Sequence, residues 1–440
     1  MKKIILKIIP LLLLFLNFSY AQDFDLNALD LDRLNKSMSG ISFNVPVPLM
    51  TGADIDKSSS MKEWTVMVYI NGKNNLSGSG VEDVNEMEAV GSTGKMNIVV
   101  ELGRKDAKTK RYFITKDKHP YDITSKTLET LYDEDMGDWK HLVDFASWAR
   151  KKYPARRYML IIWNHGDGWT TSKGISYDDE TGNHISTPEL GIAMKQIGRV
   201  DILAMDACLM QMIEVAFEVK DYADIIVASE ETESGDGYPY DAIFKKMAMM
   251  TTASNEQIAK NIVTQYGSFT SPSKRATQSA LKTDKLDSLV LLLNDWVKTA
   301  VELEDKTPIA DAVSMTESYA INEYKDLSHF IEIAGEKTQD SVLQEKGGKI
   351  NKFISDELII ANTSRRRNSN GVSIYLTKKG TGKKYAQLAW SQATQWDDFL
   401  NSIKGIASSF PENTSEECVE PEEDAPLAEW LDYLNCLLCR

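Results

Sequence analysis

Asp201-Ile202-Leu203-Ala204-Met205-Asp206-Ala207-Cys208, running on into Leu209-Met210-Gln211-Met212-Ile213-Glu214-Val215-Ala216-Phe217, is the stretch whose reading decides the fold. An apolar run of strand length, then apolar residues at helical spacing (Leu209, Met212, Ile213, Ala216), predicts a buried strand leading directly into a helix. A strand buried on both faces belongs to a parallel sheet covered by helices, and such sheets hold their sites beyond the carboxyl ends of the strands. Cys208 is therefore expected at the mouth of the helix, where unpaired N–H groups and the positive end of the macrodipole favour a thiolate. A thiolate is a nucleophile, whereas a buried thiol only fills core. One cysteine by itself does not separate these roles.

Working outward, Tyr158-Met159-Leu160-Ile161-Ile162-Trp163-Asn164-His165-Gly166 is a second apolar strand, and it ends in His-Gly 43 positions before the cysteine. A histidine and a cysteine at the ends of successive parallel strands can face each other across one rim. In caspase-type enzymes the histidine lies about 50 residues upstream of the nucleophile, although the residues around Cys208 are not a caspase pentapeptide. With His-Gly at 165–166 and Asp-Ala-Cys at 206–208, the two strand ends resemble the clostripain family of cysteine peptidases. Further stretches carry the likeness: the loop Glu230-Glu231-Thr232-Glu233-Ser234-Gly235-Asp236-Gly237-Tyr238-Pro239-Tyr240 and the closing Trp396-Asp397-Asp398-Phe399-Leu400, so that it spans roughly 62–403. Lys73 stands in Lys73-Asn74-Asn75-Leu76 where the family usually has an acid.

The resemblance implies an α/β chain with a caspase-like three-layer sandwich, its mainly parallel central sheet flanked by helices. It implies Cys208 as the nucleophile and His165 as the acid/base, with backbone N–H groups of Gly166 and Cys208 forming the oxyanion hole. It places Asp206 in the pocket for the residue before the cut, with Glu230 and Asp236 lining the cleft. A carboxylate there pairs bidentately with a guanidinium, so cleavage after Arg and then Lys is the expected specificity. The partners are then Arg- or Lys-containing peptides and proteins. A catalytically silent relative that binds basic peptides in the same cleft is the alternative. The chemistry requires no cofactor; calcium is possible, because some members of the family depend on it and the cluster Asp178-Asp179-Glu180 offers the carboxylate oxygens that ion takes. The plainer reading of the cluster is a solvated acidic loop, with calcium binding as the alternative.

The rest of the chain sets bounds. With 50 Lys+Arg against 65 Asp+Glu, a net charge of −15 argues against a nucleic-acid partner. No Gly-x-Ser-x-Gly elbow, His-Glu-x-x-His zinc motif or phosphate loop occurs, which demotes serine hydrolases, zinc proteases and nucleotide enzymes. Lys2 and Lys3, an apolar run too short to span a bilayer, and Ser19-Tyr20-Ala21 read as a signal peptide over 1–21, implying export with no membrane span after its removal: periplasmic, surface-associated or extracellular. A linker or pro-segment is expected over 22–61, the peptidase domain over 62–405, and an acidic tail over 406–440. Cys418, Cys436 and Cys439 sit in that tail, where a structural disulfide is the expectation. Cys208 stands apart and should stay reduced. Self-cleavage is expected after a basic residue in an exposed segment: Lys57 or Lys62 in the linker, or Lys173 in the polar loop read over 170–186. Strands are predicted over 64–70, 97–102, 158–163, 201–206, 224–229 and 371–376, and helices over 81–90, 139–152, 255–266, 286–303 and 322–334.

Overall fold

Strand β1 (Lys62–Gly72) is rich in β-branched and aromatic residues, and burial on both faces puts it inside the sheet. The structure, a computed structural model, describes residues 61–169, 174–269 and 276–411. From β1 the chain passes through α1 (Ser79–Val90) to β2 (Met96–Arg104), β3 (Thr109–Phe113) and β4 (Thr127–Leu131). Helix α2 (Trp139–Lys152) leads to β5 (Ala155–Trp163); a hairpin of β6 (Ile175–Asp178) and β7 (Asn183–Ile185) precedes α3 (Thr187–Ile197) and β8 (Val200–Asp206). Next come α4 (Ile213–Val219), β9 (Ala223–Ala228), α5 (Tyr240–Met249), α6 (Asn255–Phe269) and β10 (Thr277–Lys282). The remainder adds α7 (Leu286–Glu302), α8 (Thr307–Met315), β11 (Tyr324–Asp326), α9 (Leu327–Thr338), α10 (Ser341–Phe353), β12 (Ile359–Ser364), β13 (Ser373–Tyr375), α11 (Ala389–Ala393) and α12 (Trp396–Ser402).

The nine-stranded sheet has the order β12-β10-β9-β8-β5-β1-β2-β3-β4. Neighbours from β9 through β2 run parallel. Antiparallel pairs, β10 with β12 and β3 with β4, finish the two edges. Side chains alternate between two cores, one on each face. In β8, Leu203 and Met205 enter the first core, with the helices α2, α3 and α4; Ile202 and Ala204 enter the second, with α1, α5 and α6. The architecture is therefore a three-layer sandwich with a mainly parallel sheet.

Helix α2 begins where the sequence places it, since the Asp138 side chain accepts from Lys140 N, and Arg150, Lys151 and Lys152 sit at its negative end. The helix expected over 322–334 is corrected. Tyr324–Asp326 pairs antiparallel with Ser373–Tyr375, and Asp326 caps a helix that starts only at Leu327, accepting from His329 N at 2.7 Å. The polar loop is corrected too: 175–185 forms the β6–β7 hairpin, while 170–173 lie outside the described residues.

Candidate active site

Parallel register brings the two candidate residues together. Trp163 at the end of β5 pairs with Asp206 at the end of β8, and Asn164 N donates to Asp206 O at 3.2 Å. Each chain then runs two residues further, to His165 and to Cys208. Gly166 lies against the cysteine's turn so closely that a Cβ there would come 2.4 Å from the Cys208 carbonyl oxygen. Only glycine lets these two strand ends approach so near.

Cys208 does not sit at a helix N-terminus. Helix α4 starts at Ile213, and residues 207–212 form a turn. Leu209 has φ of 63°, a left-handed conformation that costs a leucine roughly 1–2 kcal/mol. Neighbouring strand ends hold the turn: Leu209 N donates to Glu231 O at 3.1 Å, Gln211 N to Ser229 O at 2.8 Å, and Ser373 N to Gln211 O at 3.0 Å. The expected dipole effect gives way to a backbone donor, Glu233 N, which points at the Cys208 Sγ from 3.3 Å. A hydrogen bond to the sulfur favours its charged form. The expectation of a reduced thiol is corrected as well: Cys208 is disulfide-bonded, and the chain's other cysteines lie outside the described residues.

His165 is half-buried, and its Nε2 lies 2.8 Å from Asn75 Oδ1. An amide oxygen only accepts, so Nε2 carries the hydrogen and Nδ1 is the basic nitrogen. Burial pushes the imidazole below its ordinary 6.5, with Asp167 and Asp179 pulling the other way. It is therefore neutral near pH 7. Asn164 braces the strand end, its Oδ1 accepting from His165 N at 2.5 Å and Tyr177 N at 3.0 Å.

One pocket has Asp83, Trp163, His165, Asp206, Cys208 and Glu233 in its wall. Asp206 is buried and accepts from Tyr240 Oη at 2.7 Å and Tyr238 N at 3.2 Å. Gly237, with φ of 60°, leaves the space above its carboxylate open. Of the two other acids expected in the cleft, Glu230 is elsewhere, and Asp236 stands on the loop between Gly235 and Gly237, which line the pocket. Glu230 is fully buried, bound to Tyr319 Oη at 2.7 Å and to Gly371 N at 3.1 Å, and it braces the loop after β9 from behind. Asp236 is exposed and is not among the pocket-lining residues. Glu233 and Asp83 line the pocket as well. Asp83 had a legible signal, because it lies one turn before Met87 on the buried stripe of α1 and its carboxylate accepts from Trp163 Nε1 at 2.6 Å. Glu233, in a run of acids, had none.

The clostripain family model matches residues 68–403. The chain belongs to the clostripain family. Clostripain of Hathewaya histolytica is 27% identical in an alignment 228 residues long, with 44% of this chain and 43% of that protein covered, so the match spans under half of the relative's length. Among solved structures, a secreted C11 cysteine protease from Bacteroides thetaiotaomicron with an irreversible peptide inhibitor superposes with a TM-score of 0.61 at 24% identity, over 76% of this chain and 99% of that one. An inactive zymogen C11 protease from Parabacteroides distasonis gives 0.58 at 18% identity, over 76% and 98%. These likenesses show the same caspase-like fold.

Within this clostripain-family fold, the cluster considered for calcium does not fit that ion. The buried Lys73 Nζ lies 3.0 Å from Glu180 and 3.7 Å from Asp178, and Lys105 lies 3.9 Å from Asp179. An ammonium already occupies the place a divalent cation would take. Among the described residues no group of three or more His, Cys, Asp or Glu is arranged to hold a metal. Of the expected self-cleavage residues, Lys57 and Lys173 lie outside the described residues. Lys62 is the first residue of β1, in register with Ala155, so a cut after it would have to open the sheet.

Proposed function

We propose that this clostripain-family chain is an exported cysteine endopeptidase that cuts after Arg and, second, Lys. The observation that carries the reading is the level placement of His165 and Cys208 on adjacent parallel strands, with the buried carboxylate of Asp206 in the same pocket. In the reaction the Cys208 sulfur, its proton passed to the neutral His165, attacks the scissile carbonyl carbon. The N–H groups of Gly166 and Cys208 face the oxyanion, each such donor being worth about 3–4 kcal/mol. The His165 imidazolium then protonates the leaving amine, and water, deprotonated by His165, releases the acyl group. Asp206 takes the cationic side chain before the cut. Export rests on the leader at 1–21, and the secreted relative of the same fold supports it. No helix among the described residues is long and apolar enough to cross a membrane.

The disulfide at Cys208 favours a second reading, a cleft that binds basic peptides without cutting them, for as long as the sulfur stays oxidised. Digestion of a peptide library by the reduced, full-length protein decides between the two. Wild type should cleave after Arg, then Lys, and Cys208→Ala and His165→Ala should each lower turnover by about 10³-fold or more. Binding without cleavage by reduced wild type would establish the second reading. The same samples, weighed by mass spectrometry, test self-processing in the linker at Lys57: the cut should be absent from Cys208→Ala.

A further inference from the structure

Asp206 has donors; the acid beside it has none. Glu233 is 7% exposed, lines the same pocket, and neither of its carboxyl oxygens has a hydrogen-bond donor among the described residues. Among the described residues no Lys or Arg lines the pocket. Two buried carboxylates cannot both stay charged side by side without a cation, because each lacks solvent and repels the other. Among the described residues the one base in the pocket wall is His165, neutral near pH 7, and the other groups facing the pair are acids and tyrosines. Asp83 and Glu86 come from α1, Tyr238 and Tyr240 from the loop and start of α5, Tyr266 from α6, and Asp236 from the loop above.

We propose that Glu233 is a second specificity-determining acid that shares one proton with Asp206 in the empty pocket, and that entry of a substrate's guanidinium or ammonium group expels that proton. The inference rests on the proposed peptidase reading and assigns a further residue to its specificity. A single proton explains the missing donor: whichever carboxyl holds it donates to the other. Burial pushes Glu233 well above the usual carboxylate range, with Asp206 adding to the rise, and it also raises Asp206, against which Glu233, Tyr240 and Tyr238 pull. A bound cation replaces the proton as the bridge, both carboxylates become charged, and one proton leaves to solvent for each side chain bound. The scissile bond is untouched by this exchange. Affinity should therefore rise with pH separately from kcat, whose own pH dependence belongs to His165 and Cys208.

The test uses the full-length, reduced enzyme and an arginyl peptide amide between pH 5 and 9. In wild type, KM should fall with rising pH, approaching tenfold per pH unit where one proton is lost. Glu233→Gln should flatten that dependence and raise KM about tenfold at the alkaline end, leaving kcat within about threefold. An unchanged KM profile in Glu233→Gln overturns the inference. If Asp206→Asn alone abolishes the preference for Arg, the peptidase reading stands without a role for Glu233. If neither substitution changes the preference, the pocket assignment itself falls. Calorimetry of wild type binding benzamidine, an aryl amidinium, in two buffers of different ionisation enthalpy needs no variant. Release of close to one proton near pH 7 supports the proposal, and release of none overturns it.

Discussion

Cys208 carries the chemistry of the proposed reaction through its surroundings, not through a helix. A donor from Glu233 N and a left-handed Leu209 aim the sulfur into the pocket, and His165 supplies a neutral base from the next strand. Its oxidation state is then decisive, since a disulfide sulfur does not attack a carbonyl. The protein purified without reductant should be nearly inactive. Dithiothreitol should raise its rate at least about tenfold, in step with the appearance of one titratable thiol at Cys208. The chain has only three other cysteines. A variant carrying Cys418→Ser, Cys436→Ser and Cys439→Ser leaves no intrachain partner, and should be active with no reductant. Full activity of unreduced wild type would contradict both expectations.

The loop after β1 and the β6–β7 hairpin meet through Lys73. Its ammonium neutralises Asp178 and Glu180, and Asp178 in turn accepts from Met136 N at 3.0 Å and caps the hairpin turn at Glu180 N, 2.9 Å away. Removing one member of a buried pair strands the other's charge. Lys73→Ala should cost about 3 kcal/mol in urea unfolding. Millimolar calcium should leave wild-type stability unchanged and restore part of the loss in the variant. Stabilisation of wild type by calcium would show that an ion displaces the lysine.

Across the whole molecule, folding buries an unusual set of carboxyls on both sides of the sheet. Burial raises Glu214 to about 7 and Asp326 to about 6, and holds Asp83 and Glu230 well above the carboxylate range. An acid whose folded pKa exceeds its unfolded value binds more protons when folded, so its contribution is present at low pH and is lost as pH rises through the folded value. Three histidines, His165, His184 and His329, work the other way. Burial lowers all three, so their effect increases stability with pH and fades as pH passes the ordinary 6.5. Above that the slope is set by the raised acids together with His141, which burial alone would lower but Glu101 and Glu134 hold above its ordinary value, so that its contribution too is lost as pH rises. Stability should fall by about 1–3 kcal/mol between pH 6.5 and 8, each acid still protonated contributing up to about 1.4 kcal/mol per pH unit. Denaturant midpoints across that range measure it, and Glu214→Gln should reduce the slope. A rising or flat midpoint would contradict the assignment.

Local pattern alone determined the central strands, the helix at 139–152, and the placing of His165 and Cys208 at strand ends, because apolar periodicity and capping chemistry act over a few residues. The tertiary structure decided what depends on distant partners. Register put His165 level with Cys208. The close approach of Gly166, and donors from the loop after β9, turned residues 207–212 into a turn instead of a helix start. The antiparallel edges, and the pairing of Tyr324–Asp326 with Ser373–Tyr375, join segments far apart in the chain, which no local signal encodes. Acids close together in one loop were separated in the same way. Glu230, Glu233 and Asp236 read alike in sequence, yet the fold sends one behind the loop, one into the pocket and one to solvent, since the environment of a side chain is set by what packs against it.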